Sequence, residues 1–284
     1  MLKEIFSFMG WNVMGQSATV LTNQGVGVLV NLFFNVAANA AMGVSNSITH
    51  IVSQFVSNFQ VAFNPQIIKS YNTGNHVYLQ SLILRSSKIS SYLILLFLVP
   101  LIFEADTVLT LWLGDYPQYA LEFCICTLFC IYMDAISAPL YMVMYSQTNI
   151  KNYQIVISSV YSLCFFLGWI ALFVGYPPYS VIIARFIVFI ALLSVRLVFV
   201  KKLIPGFIIS DWVLQIPIKS LLILTISTVC TGIIANLLQT NRYIHVITIS
   251  AFSIAINALL MLYIGFSKQE RLFVVNLIMQ RIKR

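Results

Sequence analysis

Charged side chains are scarce in this chain. Asp, Glu, Lys and Arg together make up 8% of its 284 residues, whereas hydrophobic residues make up 60%. So few polar side chains cannot coat a soluble globule of this length. The composition therefore excludes an ordinary soluble domain and predicts a membrane protein.

Residues that usually carry catalysis or bind metals are few and scattered. The three histidines lie far apart in the sequence and offer no metal-ligand spacing. The sequence holds no nucleophile motif, no paired carboxylates and no nucleotide-binding loop. Cys124 and Cys126 are two residues apart and point to different helix faces, which argues against a shared metal site. We interpret all five cysteines as small apolar filler and expect no enzyme activity, no metal and no cofactor.

Long apolar runs dominate the sequence instead. A helix needs about 20 apolar residues to cross roughly 30 Å of hydrocarbon. By that measure the chain is predicted to be an all-α, polytopic membrane protein with about eight transmembrane helices. The predicted spans are residues 5–33, 40–63, 89–108, 119–145, 153–175, 179–200, 214–237 and 244–266. We divide them into a six-helix transmembrane lobe, 1–202, and two additional helices with a basic tail, 203–284.

Positive charges alternate between the two sides of the predicted membrane. The outer segments hold Arg242 as their single basic residue. The inner segments hold Lys3, Lys69, Arg85, Lys88, Lys151, Lys201, Lys202 and the basic C-terminal tail. The positive-inside rule therefore predicts that both termini are cytoplasmic. The net charge of +8 is thus a topology signal, and we expect no nucleic-acid partner.

Polar stripes run along the first two predicted helices. The first helix carries Asn12, Gln16, Thr19 and Asn23 on one face, and the second carries Asn46, His50, Gln54 and Ser57. Lipid cannot satisfy such groups, so each stripe is expected to face other helices or a watery cavity. Hydrogen bonding that simply holds helices together is the alternative for any single residue. Two adjacent stripes favour a cavity lining for a polar solute, such as a hydroxyl-rich sugar.

Several ionisable residues lie inside predicted spans. Asp134 is the only carboxylate near mid-span, and it is a candidate cation or proton site. Its alternatives are pairing with a basic residue or a place in a water-filled cleft. Arg185, and His50 if protonated, are candidate contacts for an anion such as a pyrophosphate. The alternatives are snorkelling for Arg185 and a neutral, hydrogen-bonded imidazole for His50. Arg196, near an inner end, is predicted to be a snorkelling anchor.

Several strings resemble a known family of transporters. They are 38–44 (ANAAMGV), 54–60 (QFVSNFQ), 64–71 (NPQIIKSY), 111–114 (LWLG) with Pro117 and Tyr119, 23–25 (NQG) and 265–271 (GFSKQER). Together they resemble the Wzx-type O-antigen and capsule flippases of the multidrug/oligosaccharidyl-lipid/polysaccharide (MOP) superfamily, relatives of the MATE exporters. The resemblance covers nearly the whole chain.

The resemblance implies a fold and a partner. Family members have two six-helix lobes around a central cavity, and this chain is similar to the second lobe plus two extra C-terminal helices. The first lobe is then missing, which implies a longer protein, a split gene or a second chain that supplies it. The resemblance also implies that the polar stripes face the cavity and that Arg185 or His50 attracts the pyrophosphate of an undecaprenyl-linked oligosaccharide.

Three functions follow as hypotheses. The leading one is flipping of undecaprenyl-pyrophosphate-linked oligosaccharide across the bacterial inner membrane during polysaccharide biosynthesis, with membrane lipids and that oligosaccharide as partners. The second is cation-coupled drug export of the MATE type, with Asp134 holding the ion. The third is a non-transporting half that scaffolds another membrane protein or is an inactive, truncated remnant.

Overall fold

A computed structural model describes residues 2–238, 241–268 and 270–272, and over these residues the chain is all helical. The helices are α1 (Leu2–Phe33), α2 (Val36–Val61), α3 (Asn64–Asn72), α4 (His76–Leu113), α5 (Ala120–Tyr145), α6 (Lys151–Phe173), α7 (Ser180–Leu203), α8 (Ile209–Val213), α9 (Lys219–Leu237) and α10 (Arg242–Leu260). Two π-helical turns continue this pattern, Leu214–Ile218 between α8 and α9 and Met261–Gly265 after α10.

Short polar connections separate the helices. Asn35 caps α2 by accepting a hydrogen bond from the Ala38 amide at 2.8 Å, and Asn75 caps α4 in the same way from Tyr78. Such caps satisfy amides that have no partner inside the helix. Gly175 ends the α6 segment with φ 94°, a left-handed conformation that glycine adopts without steric cost. Local residue chemistry therefore sets these three helix boundaries.

Six helical segments within the described residues are long and apolar enough to cross a membrane. They are α4, α5, α6, α7, the α8–α9 segment Ile209–Leu237 and the α10 segment Arg242–Gly265. The six establish a membrane protein. The first two helices are long, with 32 and 26 residues, but they are not among the six. Their polar stripes explain this, because amide and hydroxyl side chains lower the mean hydropathy.

The helices pack into a main bundle with an appended pair. In the bundle α1 lies on α6, α6 on α7, α7 on α5, and α5 also contacts α2 and α4. The appended α9–α10 pair packs on α4. The main core joins α4, α5 and α7, with Ile94, Leu128, Ile136 and Leu140 completely buried. Trp212 of α8 is also fully buried there.

The beginning of α4 corrects the sequence prediction. The third span was predicted to start at residue 89, but α4 begins at His76, is continuous for 38 residues and contains Pro100. Leu79 and Ile83, which precede the predicted span, are completely buried in the main core. The charge of Lys88 suggested a membrane boundary, yet Lys88 is only 5% exposed.

Contacts between acidic and basic side chains connect α10 and the segment after it to α4. Lys88 Nζ lies 3.1 and 2.9 Å from the two carboxylate oxygens of Glu270. Near the opposite end of α4, Glu104 Oε1 lies 2.8 Å from His245 Nδ1, and Asp106 pairs with Arg242 at 3.1 Å. Because Lys88 is almost fully buried, loss of Glu270 would leave a buried charge uncompensated. These pairs set the position of the C-terminal helix pair along α4.

Candidate functional site

Two neighbouring polar pockets lie between α1, α2, α5, α6 and α7. We name them the Arg185 pocket and the Arg196 pocket after the arginine in each. Their cavity volumes are about 350 Å³ and about 380 Å³. Asn23 of α1 lines both pockets, so they adjoin along one cleft.

The Arg185 pocket is walled mainly by α2. It is lined by Asn23, Met42, Asn46, Thr49, His50, Ser53, Thr127, Ile131 and Arg185. Ser45 donates a hydrogen bond to Thr127 Oγ1 at 3.2 Å and so ties α2 to α5 behind this wall. Arg185 Nε is buried and has no hydrogen-bond partner among the described residues. The pocket thus offers amides, hydroxyls and one cation to a ligand.

The Arg196 pocket contains an ion pair between α5 and α7. Arg196 Nη1 lies 3.6 Å from Asp134 Oδ1, and it also donates to Ser137 Oγ. The guanidinium lies over the ring of Tyr141, with Cζ 5.0 Å from the ring centroid. Arg196 was predicted to be a snorkelling anchor, and that was wrong, because its side chain is only 12% exposed and faces the pocket. Of the alternatives considered for Asp134, the structure shows pairing with a basic residue, inside a cleft.

Tyrosines form the wall around this pair. Tyr141 and Tyr145 of α5 and Tyr153 of α6 make a chain of edge-to-face rings, with centroids 5.9 and 6.4 Å apart. Tyr161 of α6 also lines the pocket, and its hydroxyl donates to Asn23 Oδ1 of α1 at 3.1 Å. None of these tyrosines was predicted as a site residue. The spacing of Tyr141 and Tyr145, and of Tyr153 and Tyr161, places each pair on one face of a helix, and this was the feature of the sequence that indicated the group.

Close contact between α1 and α6 shapes the same pocket. A Cβ at Gly15 would lie 1.2 Å from Gln154 Nε2, so only glycine lets this amide lie against α1. Gln154 is buried, and its Oε1 has no hydrogen-bond partner among the described residues. Small residues permit such close helix packing inside membranes. Gly15 therefore allows Gln154 to line the pocket.

The structure places most predicted site residues in the cleft. Those that line it are Gln16, Thr19, Asn23, Asn46, His50, Asp134 and Arg185. Three predicted site residues line neither pocket, namely Asn12, Gln54 and Ser57. Asn12 is half-buried. The Gln54 side chain donates a hydrogen bond to Asn58 Oδ1 at 3.1 Å, and the Ser57 hydroxyl donates one to the Gln54 carbonyl.

One polar residue of α2 joins helices instead. Gln60 is buried, and its Nε2 donates to Ser90 Oγ at 2.9 Å and to the Ala135 carbonyl at 3.0 Å. On α2, therefore, one amide side chain lines the cleft and another holds helices together.

Within the described ranges no group of three or more His, Cys, Asp or Glu residues could hold a metal ion. The five cysteines are free thiols. The residues that line the cleft offer hydrogen bonds, aromatic contacts and charges to a ligand.

Comparisons with protein-family models, with curated proteins and with solved structures found no match for this chain.

Proposed function

We propose that this chain is one lobe of a transporter that flips an undecaprenyl-pyrophosphate-linked oligosaccharide across the bacterial cytoplasmic membrane. The observation that carries the proposal is the cleft itself. It is lined by amides, hydroxyls, tyrosines and two arginines, although most of the chain is apolar. Intramembrane ionisable residues are costly and usually mark a substrate path.

The resemblance to Wzx-type flippases of the MOP superfamily supports the same proposal. In it, α1 and α2 also cross the membrane, which gives eight spans with both termini in the cytoplasm. At about 1.5 Å per residue, the 32 residues of α1 are ample for the crossing. The polar wall of the cleft then belongs to the membrane interior.

A second lobe, from a longer protein or another chain, completes the proposed transporter. Asn46, His50 and Gln54 are exposed on α2. Lipid cannot satisfy these groups, so water and a facing lobe are their expected surroundings. Each lobe then supplies half of the cavity wall.

Cation-coupled drug export receives less support. The positive charge beside Asp134 comes from Arg196 at 3.6 Å. A guanidinium in that position reduces the attraction of the carboxylate for a further cation.

Polysaccharide export in the bacterium that encodes the chain tests the proposal. Arg185→Ala should lower surface polysaccharide at least about tenfold, since a lost contact to a charged group is worth roughly 1.5–3 kcal/mol. Gln16→Ala should lower it by about twofold to tenfold, since a neutral hydrogen bond is worth roughly 0.5–1.5 kcal/mol. Ser159→Ala is the matched control, because Ser159 is exposed on α6, lines neither pocket and bonds only its own helix. Normal export from both pocket variants, at normal protein levels, would refute the proposal.

A further inference from the structure

The two arginines of the cleft lie on one face of α7. Arg185 and Arg196 are eleven residues apart, which is about three helical turns or roughly 16 Å along the axis. They therefore project from the same side of the helix into adjoining pockets. Their surroundings differ, because within the described residues Asp134 pairs with Arg196 and no carboxylate pairs with Arg185.

The Asp134–Arg196 pair is loose. At 3.6 Å the contact is longer than the 2.7–2.9 Å typical of a charge-assisted hydrogen bond, and it joins a single nitrogen and a single oxygen. A guanidinium has five N–H donors, and Arg196 Nε is buried with no partner among the described residues. Arg196 therefore retains donors for a second acceptor.

Burial makes the pair asymmetric. The side chain of Asp134 is 55% exposed to the cleft, whereas that of Arg196 is 12% exposed. Asp134 can turn into water at little cost, but Arg196 is held between Ser137 and the ring of Tyr141. A buried charge that loses its partner is strongly destabilising unless another replaces it. The carboxylate is thus the exchangeable partner.

The rest of the pocket suits a ring that carries an oxyanion. Tyr141, Tyr145, Tyr153 and Tyr161 supply apolar faces with polar edges, while Gln16 and Gln154 supply amides. Binding sites for small molecules combine aromatic walls with a few convergent polar groups in this way. The planar guanidinium supplies paired donors for a carboxylate or phosphate.

We propose that the Arg196 pocket is a second anion-binding site, which takes an acidic group of a saccharide ligand, and that Asp134 is its internal competitor. The carboxylate pairs with Arg196 when the pocket is empty, and the anion of the ligand displaces it. Two sources share this chemistry: an acidic sugar of the glycan and the phosphates of its lipid carrier. The inference rests on the proposed function for the ligand class, but the pocket itself is testable without transport.

Binding of soluble anions to the full chain in lipid nanodiscs tests the inference. The anionic probes are glucuronate and inorganic pyrophosphate, and glucose is the neutral sugar that serves as their control. The binding of each probe is measured by calorimetric titration. Asp134→Asn removes the competitor and should tighten anion binding by about twofold to fivefold, the range expected for a partly exposed pair. Glucose binding should not change. Asp115→Asn is the matched control, since it removes the same charge in the exposed loop between α4 and α5.

The outcomes separate the two sources and the two proposals. Tighter glucuronate binding supports an acidic-sugar site, and tighter pyrophosphate binding alone supports a carrier-phosphate site. Either gain should vanish when Arg196→Gln is added to Asp134→Asn. Unchanged binding of both anions by Asp134→Asn would overturn the inference even if Arg196→Gln fails to fold. A third outcome combines normal export by Arg185→Ala and Gln16→Ala with tighter anion binding by Asp134→Asn. That outcome would refute the transport proposal but would still support the anion site.

Discussion

At the scale of single residues, two charges that the sequence placed at the edges of spans, those of Lys88 and Arg196, are paired across helices. Lys88 suggested a membrane boundary and Arg196 suggested a surface anchor, but both side chains are nearly buried and each has an acidic partner. A hydropathy scale assigns each charged residue the free-energy cost of entering lipid without a partner of opposite charge. A partner from a distant helix removes much of that cost, so isolated charges in the sequence were misinterpreted.

Glu270 gives a prediction at this scale. Burial favours a higher pKa for Glu270, but the Ser267 amide at 2.8 Å and the Lys88 ammonium outweigh it and hold the pKa below the usual glutamate value. A carboxyl whose pKa is lowered on folding stabilises the protein above its unfolded pKa, and this contribution is lost as pH falls through the folded value. The melting temperature in detergent should therefore fall as pH is lowered through the acidic glutamate range.

Glu270→Gln should lower the melting temperature at pH 7 and flatten the acidic part of that profile. Glu122→Gln, a change of the same kind in the first turn of α5, is the control and should keep the wild-type slope. An unaltered slope in Glu270→Gln would show that other carboxyls cause the acid dependence.

At the scale of helices, small residues decide which elements can touch. A Cβ at Gly265 would lie 2.3 Å from Tyr92 Oη and 2.6 Å from its Cζ. Tyr92 is 5% exposed and packs edge-to-face on Phe266 with centroids 5.5 Å apart, so its rigid ring cannot move away cheaply. Gly265 thus permits the end of the α10 segment to approach α4.

Gly265→Ala should destabilise the protein by about 1–3 kcal/mol, as overpacking does in a tight core. Gly43→Ala on α2 is the matched control, because nothing lies within 4 Å of its added Cβ. That control should be neutral or stabilising by up to about 1 kcal/mol, since alanine favours helix. Chemical unfolding in mixed micelles measures both, and equal stability of the two variants would contradict the packing argument.

At the scale of the whole molecule, the proposed function requires that α1 and α2 cross the membrane. The two helices form one wall of the polar cleft but have a lower mean hydropathy than the six candidate spans. In the proposed topology the α1–α2 turn and the α4–α5 loop lie outside, while the α5–α6 loop lies inside.

Accessibility of single cysteines tests that topology. In a background without the five native cysteines, Phe34→Cys and Asp115→Cys should react with a membrane-impermeant maleimide in intact cells. Thr148→Cys should react only after the cells are permeabilised. All three positions are exposed in the structure. Protection of Phe34→Cys until permeabilisation would mean that α1 does not cross, and the eight-span topology would be wrong.

The sequence by itself determined the helical character of the chain and several helix limits. The predicted ranges 119–145, 153–175 and 179–200 agree within three residues with α5, α6 and α7. It also indicated which helices carry polar faces, and seven of the predicted site residues line one cleft. These features depend on residues close in sequence, since helical periodicity and hydropathy are local properties.

Only the tertiary structure decided which polar groups meet. Asp134 and Arg196 are on different helices, and their pairing follows from the packing of α5 on α7. The tyrosine wall needs α6 beside α5, and the position of Gln154 needs Gly15 of α1 opposite it. Helical periodicity predicts which residues share a face of one helix, but it does not predict which other helix packs against that face. The chemistry of the cleft depends on which faces are in contact.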